Sequence, residues 1–150
     1  SEGWESQVTP YVREFFDRPT VSTERWMAGW EIVDRAYLEL ERTVFSAGFD
    51  ALICPTMTTT VITANWAHPE TGTPASLDEI YSVAMTMPFN ALGRLPVLDI
   101  PAGLAKSTGV PIGMQIVGPM NRDEVPFRIA AALEAAEGSL FERIRPTLVG

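Results

Sequence analysis

The sequence is short of the residues on which most catalytic chemistry depends: its 150 residues include one cysteine, one histidine and one lysine. A lone Cys54 can form no internal disulfide, and no zinc-ligand spacing surrounds it, so a reducing, cytoplasmic location is the expectation. No G-x-S-x-G nucleophile elbow occurs. GRLP and GVPIG lack the spacing of phosphate-binding glycine loops. Long apolar runs are missing as well: none approaches the ~20 residues of a membrane span. The N-terminal SEGWESQVTP carries neither the basic nor the apolar region of a signal peptide. Positive charge is scarce. A net charge of −8 keeps the chain soluble and repels phosphate backbones, which argues against nucleic-acid binding.

What is present is an ordinary globular composition, 46% hydrophobic and 20% charged, at the size of one domain. The residues around Tyr11 to Phe16 read as a short helix between Pro10 and Pro19. From Ser22 or Thr23 a cap precedes Glu24 and an apolar stripe, Trp26, Trp30, Val33, Tyr37, Leu40 and Val44, that stays on one helical face until Gly48. Phe49 to Cys54 reads as a buried strand stopped by Pro55. The threonine-rich stretch from Thr56 to Pro74 has no helical period and reads as a long loop. Ser76 with Glu79 forms a capping box for a helix from Leu77 to about Thr86, broken by Pro88. VLDIPAG and PIGMQIVG, joined across LAKSTGV, predict a β-hairpin. Asp123 is expected to cap a last helix over Glu124 to Glu137, with Pro126 in its first turn and Gly138 after its end. The sum is an α/β fold, a mixed sheet covered by helices.

The candidates for chemistry mostly have bland readings. His68, in ANWAHPE, has the one side chain that titrates near neutrality, but no serine arrangement accompanies it and a loop role is preferred. Cys54 ends an apolar strand and reads as core. The acidic pairs Asp78-Glu79 and Asp123-Glu124 stand at helix starts, where the macrodipole favours negative charge. Asp99 interrupts the apolar VLDIP: either it faces outward on an alternating strand, the preferred reading, or it is buried and needs partners. Lys106 falls in the hairpin turn, where water keeps it charged and unsuited to act as a base.

FDALICPT, TMPFNALGRLPVLDIPAG and GVPIGMQIVGP, followed by an alanine-rich helix containing Glu134, together resemble the C-terminal part of the amidase signature family. The likeness runs from about Ser22 to Glu137. It implies an α/β/α fold and hydrolysis of a carboxylic amide C–N bond by a Ser-Ser-Lys triad, with no cofactor and no metal. In that family the triad and its Gly/Ser-rich segment lie upstream of the motifs quoted, so no catalytic residue is assigned within this chain. The resemblance places Val83, Thr86, Met87 and Asn90 beside the acyl pocket as substrate-binding residues, although Asn90 has an alternative role in tying down the turn around Gly93. Their mainly apolar character suits an apolar or aromatic acyl group. Val83 stands where similar glutamine-using subunits carry an acidic residue, which argues against glutamine. Asp99 and Arg94 depart from the family pattern, which commonly has a small residue or serine at the first position and an apolar or small residue at the second.

The expectation is therefore one domain over residues 1–150, the C-terminal part of an amidase. It would supply scaffold and pocket wall, be inactive alone, and have the N-terminal part of the same enzyme and a small amide as its partners. Self-association, or disorder within the Thr56 to Pro74 loop, is expected from uncovered surface. The alternative from another class is a non-catalytic binding domain that keeps the fold.

Overall fold

The structure of the chain, a computed structural model, describes residues 3, 7–8, 10–62, 77–139 and 142. Among them lie helices α1 (Pro10–Asp17), α2 (Thr23–Leu40), α3 (Leu77–Val83), α4 (Met87–Leu92) and α5 (Glu124–Glu137). The strands are β1 (Leu52–Pro55), β2 (Val97–Leu104) and β3 (Pro111–Val117). They form one sheet in the order β1-β3-β2, antiparallel at both pairings, so the α/β class read from the sequence stands. His68, Ser76 with its capping box, and residues 63–76 of the expected loop lie outside the described residues.

α2 begins where the cap predicts. Ser22 keeps an extended backbone and its Oγ accepts the Arg25 N–H at 3.3 Å. The Ser22 hydroxyl and backbone N–H donors at the helix start also hold the Glu24 carboxyl below its ordinary range, the backbone contribution being the larger. After Leu40 the helix widens into a π-helical turn over Glu41–Phe45, which the sequence reading did not include. Thr43 Oγ1 donates to the Glu39 carbonyl at 2.7 Å, and Ser46 and Phe49 N–H reach back five residues. Gly48, at φ +95°, then ends the segment as expected.

The apolar stripe of α2 is only partly covered. Val33, Tyr37, Leu40 and Val44 are half-buried, whereas Trp26 and Trp30 stack edge to face in solvent, 60% and 47% exposed. The period places these rings on the right face, but nothing among the described residues lies over its N-terminal end. Two further corrections concern β1. The strand starts at Leu52, not Phe49, which is exposed. Pro55 is its last residue and opposes Met114, a position a proline tolerates because β1 is an edge strand. The line of the chain continues past it: Thr56 N–H bonds Gly113 O at 3.1 Å, and Met57 pairs with Ala84. The start of the expected loop is thus an extension of the sheet.

The hairpin of β2 and β3 is closed by Ala105 N–H to Val110 O at 2.9 Å, with Gly109 at φ +70° and Lys106 exposed in the turn. A bulge falls at Pro101/Gly103, where Pro101 brings no donor and Gly103 takes φ +126°. α5 packs on β2 and β3. A Cβ on Gly118 would stand 2.9 Å from Pro126 Cδ and 3.3 Å from Pro96 Cγ, so helix and sheet meet there through two rings. Asp123, expected to cap α5, instead has helical backbone angles and makes no side-chain cap bond. The N-terminal contacts come from a turn in which Val125 N–H reaches Arg122 O and Arg122 pairs with Glu124.

The core gathers at the end of the central strand: Ile116 and Val117 are fully buried, joined by Val125, Pro126 and Leu92. Burying an isoleucine or valine contributes about 1.5–3 kcal/mol each. α2 is held to α4 at its middle. Arg94, after α4, pairs with Asp34 and lies over the Tyr37 ring at 5.3 Å, which gives this unusual arginine a local partner set. Both members of the ion pair are partly exposed, so it contributes about 0.2–1 kcal/mol. Asp78 likewise bonds Arg18 at 2.8 Å and ties α1 to α3, a role beyond the helix-start placement read from sequence.

Candidate functional site

The segment between α3 and α4 is built differently from the single broken helix that Pro88 suggests. α3 stops at Val83, and the next residues are drawn into extended pairing: Thr58 N–H bonds Val83 O at 2.9 Å and Met85 N–H bonds Thr56 O at 3.0 Å. A second helix then starts at Met87, with Pro88 in its first turn, where a missing N–H costs nothing, and Gly93 in the left-handed region at its end. The proline-early, glycine-after asymmetry in MPFNALG was the available signal for α4.

The four residues expected at the pocket fall along the end of α3 and the start of α4. Asn90 stands three residues after Met87 and four after Thr86, which brings it near each of them at the start of α4, and Val83 stands at the end of α3 just before. Val83 and Thr86 are half-buried, while Met87 and Asn90 are exposed. The turn at Gly93 is closed by the backbone, Gly93 N–H to Phe89 O at 2.9 Å, and Asn90 enters it through its own N–H to Thr86 O. None of the four is charged. None of the four lines the cavity of about 300 Å³ that opens between the threonine-rich segment and the hairpin, whose walls include Pro55, Met57, Thr59, Ile62, Val110 and Ile112. Its named walls are apolar or hydroxyl-bearing.

A second group of side chains meets on one face of the sheet. The register aligns Cys54, Gln115 and Asp99 across three strands, so all three point to the same side. Thr56 Oγ1 donates to Asp99 Oδ1 above Gly113, and a Cβ on Gly113 would stand 2.5 Å from that hydroxyl and about 3 Å from the carboxylate. Asp99 is therefore exposed, in keeping with the preferred reading, yet it is partnered from two strands away. Gln115, only 1% exposed, donates from Nε2 to Pro55 O at 3.0 Å and to Cys54 Sγ at 3.6 Å. Sequence reading passed over Thr56 and Gln115, though a glutamine inside PIGMQIVG, bounded by apolar residues, was a signal that something polar must meet it.

Cys54 is no nucleophile in this setting. Burial pushes its thiol up, and thiolate is the reactive form. Its alkylation by iodoacetamide at pH 7 should therefore run slower than that of a free cysteine in a peptide, and should keep rising with pH beyond the range where the peptide's rate has levelled. A rate equal to the peptide's at pH 7 would contradict the burial. No helix among the described residues is long and apolar enough to cross a membrane.

Comparison with known proteins bears on residues spanning nearly all of these elements. The amidase family model matches residues 9–125. A glutamyl-tRNA(Gln) amidotransferase subunit of Cyanothece is 39% identical over 95 residues, covering 61% of this chain and 18% of that protein. The corresponding subunit of Nostoc punctiforme is 32% identical over 87% of this chain and 27% of its own length. The 6-aminohexanoate-cyclic-dimer hydrolase of Paenarthrobacter ureafaciens is 29% identical over 82% of this chain and 29% of its own. A solved structure described as an amidase superimposes with a TM-score of 0.66 at 26% identity, over 89% of this chain and 30% of the other. The chain thus spans less than a third of the length of these relatives. With the family model matched from before α1 to the start of α5, and a solved amidase sharing the fold, the chain belongs to the amidase family.

Proposed function

We propose that this chain is the C-terminal part of an amidase, a cytoplasmic enzyme that hydrolyses a carboxylic amide C–N bond, and that it supplies scaffold and one wall of the acyl pocket. The observation that carries the reading is an uncharged stretch: Val83, Thr86, Met87 and Asn90, from the end of α3 into α4, bear no charge, and the cavity of about 300 Å³ that Met57 helps to line is walled by other residues that are likewise apolar or hydroxyl-bearing. Such a wall takes an apolar or aromatic acyl group and leaves a charged one unpaired. The nucleophile and its base come from the remainder of the enzyme. Lys106, the one lysine of the sequence, stands exposed in the β2–β3 turn. Exposed Trp26, Trp30 and Phe127 are surface that the same remainder would cover, and without it the chain self-associates.

The test is kinetic. The complete enzyme should cleave amides of apolar or aromatic acids, and Val83→Asp should lower kcat/KM for them by on the order of tenfold or more. The 150 residues alone should show no turnover. Turnover by the isolated chain that disappears in Lys106→Ala or Ser107→Ala would overturn the division of labour, and a preference of the complete enzyme for glutamine would overturn the pocket assignment.

A further inference from the structure

The row Cys54–Gln115–Asp99 leaves an unfilled demand for hydrogen-bond donors. Gln115 is 1% exposed, and its Oε1 has no hydrogen-bond partner among the described residues. The amide assignment is fixed by chemistry: the Pro55 carbonyl needs a donor, so the atom facing it is Nε2 and the unpartnered atom is the acceptor Oε1. On the neighbouring strand β2, Asp99 stands directly opposite Gln115 and on the same face of the sheet. Cβ atoms so paired are about 4.5–5.5 Å apart, within reach of one bridging group. An ionised carboxylate cannot satisfy an amide oxygen, because both accept. Thr56 adds a third acceptor, since its hydroxyl proton is committed to Asp99 Oδ1 and its lone pairs are left.

We propose that Gln115 Oε1, the Asp99 carboxylate and Thr56 Oγ1 form a binding site for a primary ammonium group. Three acceptors, two on strands and one just past the end of β1, one of them anionic, match the three N–H donors and the compact charge of –NH₃⁺. A guanidinium pairs best with both oxygens of one carboxylate, and here Thr56 already donates to Asp99 Oδ1, so the fork would have to compete with that bond. Exposed Asp99 forms the entry and buried Gln115 the floor, so the cation sheds water only on the side where an acceptor replaces it. The site is separate from the Val83–Asn90 wall and does not depend on the acyl-pocket reading. The ammonium comes either from an amine-bearing small molecule or from a lysine elsewhere in the enzyme.

The experiment follows the Gln115 side-chain amide by ¹⁵N NMR in the complete protein during titration with methylammonium chloride. Tetramethylammonium chloride, which carries the charge without N–H donors, and sodium chloride serve as controls. A saturable shift with methylammonium only, weakened at least tenfold in Asp99→Asn and in Asp99→Ser, establishes the site and assigns it to a small amine. If methylammonium does not bind because a lysine already occupies the site, a carbodiimide should join Asp99 to that lysine with loss of one water, detected as a cross-linked peptide absent from Asp99→Asn. Absence of both the shift and the cross-link, or equal shifts with all three salts, overturns the proposal. None of these readouts requires turnover, so failure here leaves the amidase reading to be judged by its own kinetics.

Discussion

Replacing Ile116 with alanine should cost about 2–5 kcal/mol, because a large buried side chain is lost and the space it leaves cannot close. Ile116 is fully buried in the central strand, opposite Ile53 on β1 and Leu98 on β2. Collapse is hindered on every side: hydrogen-bonded strands flank the position, and next to it the Gly118 contact with the Pro126 and Pro96 rings fixes how far α5 stands from the sheet. The described core is small, with Leu92, Ile116, Val117 and Val125 as its buried hydrophobic residues, so one of them carries a large share of the stabilisation. Urea unfolding should show a lower midpoint at an unchanged slope. Ile53→Ala is the control, on the same sheet face but 54% exposed at the edge, and should cost about 1 kcal/mol or less. Equal losses at the two positions would mean that the sheet face is not covered as described.

What was legible in the sequence is what local chemistry decides. The Ser22 cap, the hairpin from Val97 to Val117 and the span of α5 with Gly138 beyond it follow from side chains acting on their own backbone within a few residues. α4 was legible in principle, through Pro88 and Gly93, but a proline after a helical run reads first as a break. The rest depended on partners far away in the chain. Arg94 looks anomalous until Asp34 and Tyr37 stand beside it, 60 and 57 positions earlier. Asp99 needed both Thr56, 43 residues before it, and the missing side chain of Gly113 beneath their bond. The stripe on α2 was read correctly as one face, and its N-terminal exposure could not be read, because period reports which way a side chain points and not what lies there. The proposed acyl-pocket set rests on family likeness; composition and spacing alone give no reason to single out Val83 or Thr86.

Three glycines separate the effects that a single methyl can have, and Gly118→Ala should be the most damaging, by about 1–3 kcal/mol of overpacking. At Gly118 the added carbon meets Pro126 Cδ at 2.9 Å, Pro96 Cγ at 3.3 Å and Arg122 O at 3.4 Å. Pyrrolidine rings and a backbone carbonyl have no rotamer to retreat into, so relief requires α5 to move off β2 and β3 and loosen Val125 and Pro126. At Gly113 the clash is nominally closer, 2.5 Å, but it is with the Thr56 hydroxyl and the Asp99 carboxylate, which can swing aside for the loss of about one hydrogen bond, 0.5–1.5 kcal/mol. At Gly29, inside α2, nothing lies within 4 Å, and alanine should stabilise the helix by about 0.5–1 kcal/mol by removing backbone freedom from the unfolded chain. The expected order of unfolding midpoints is therefore Gly29→Ala above wild type, then Gly113→Ala, then Gly118→Ala. If Gly113→Ala proved the least stable, the Thr56–Asp99 pair would have to be held more rigidly than side chains free to change rotamer.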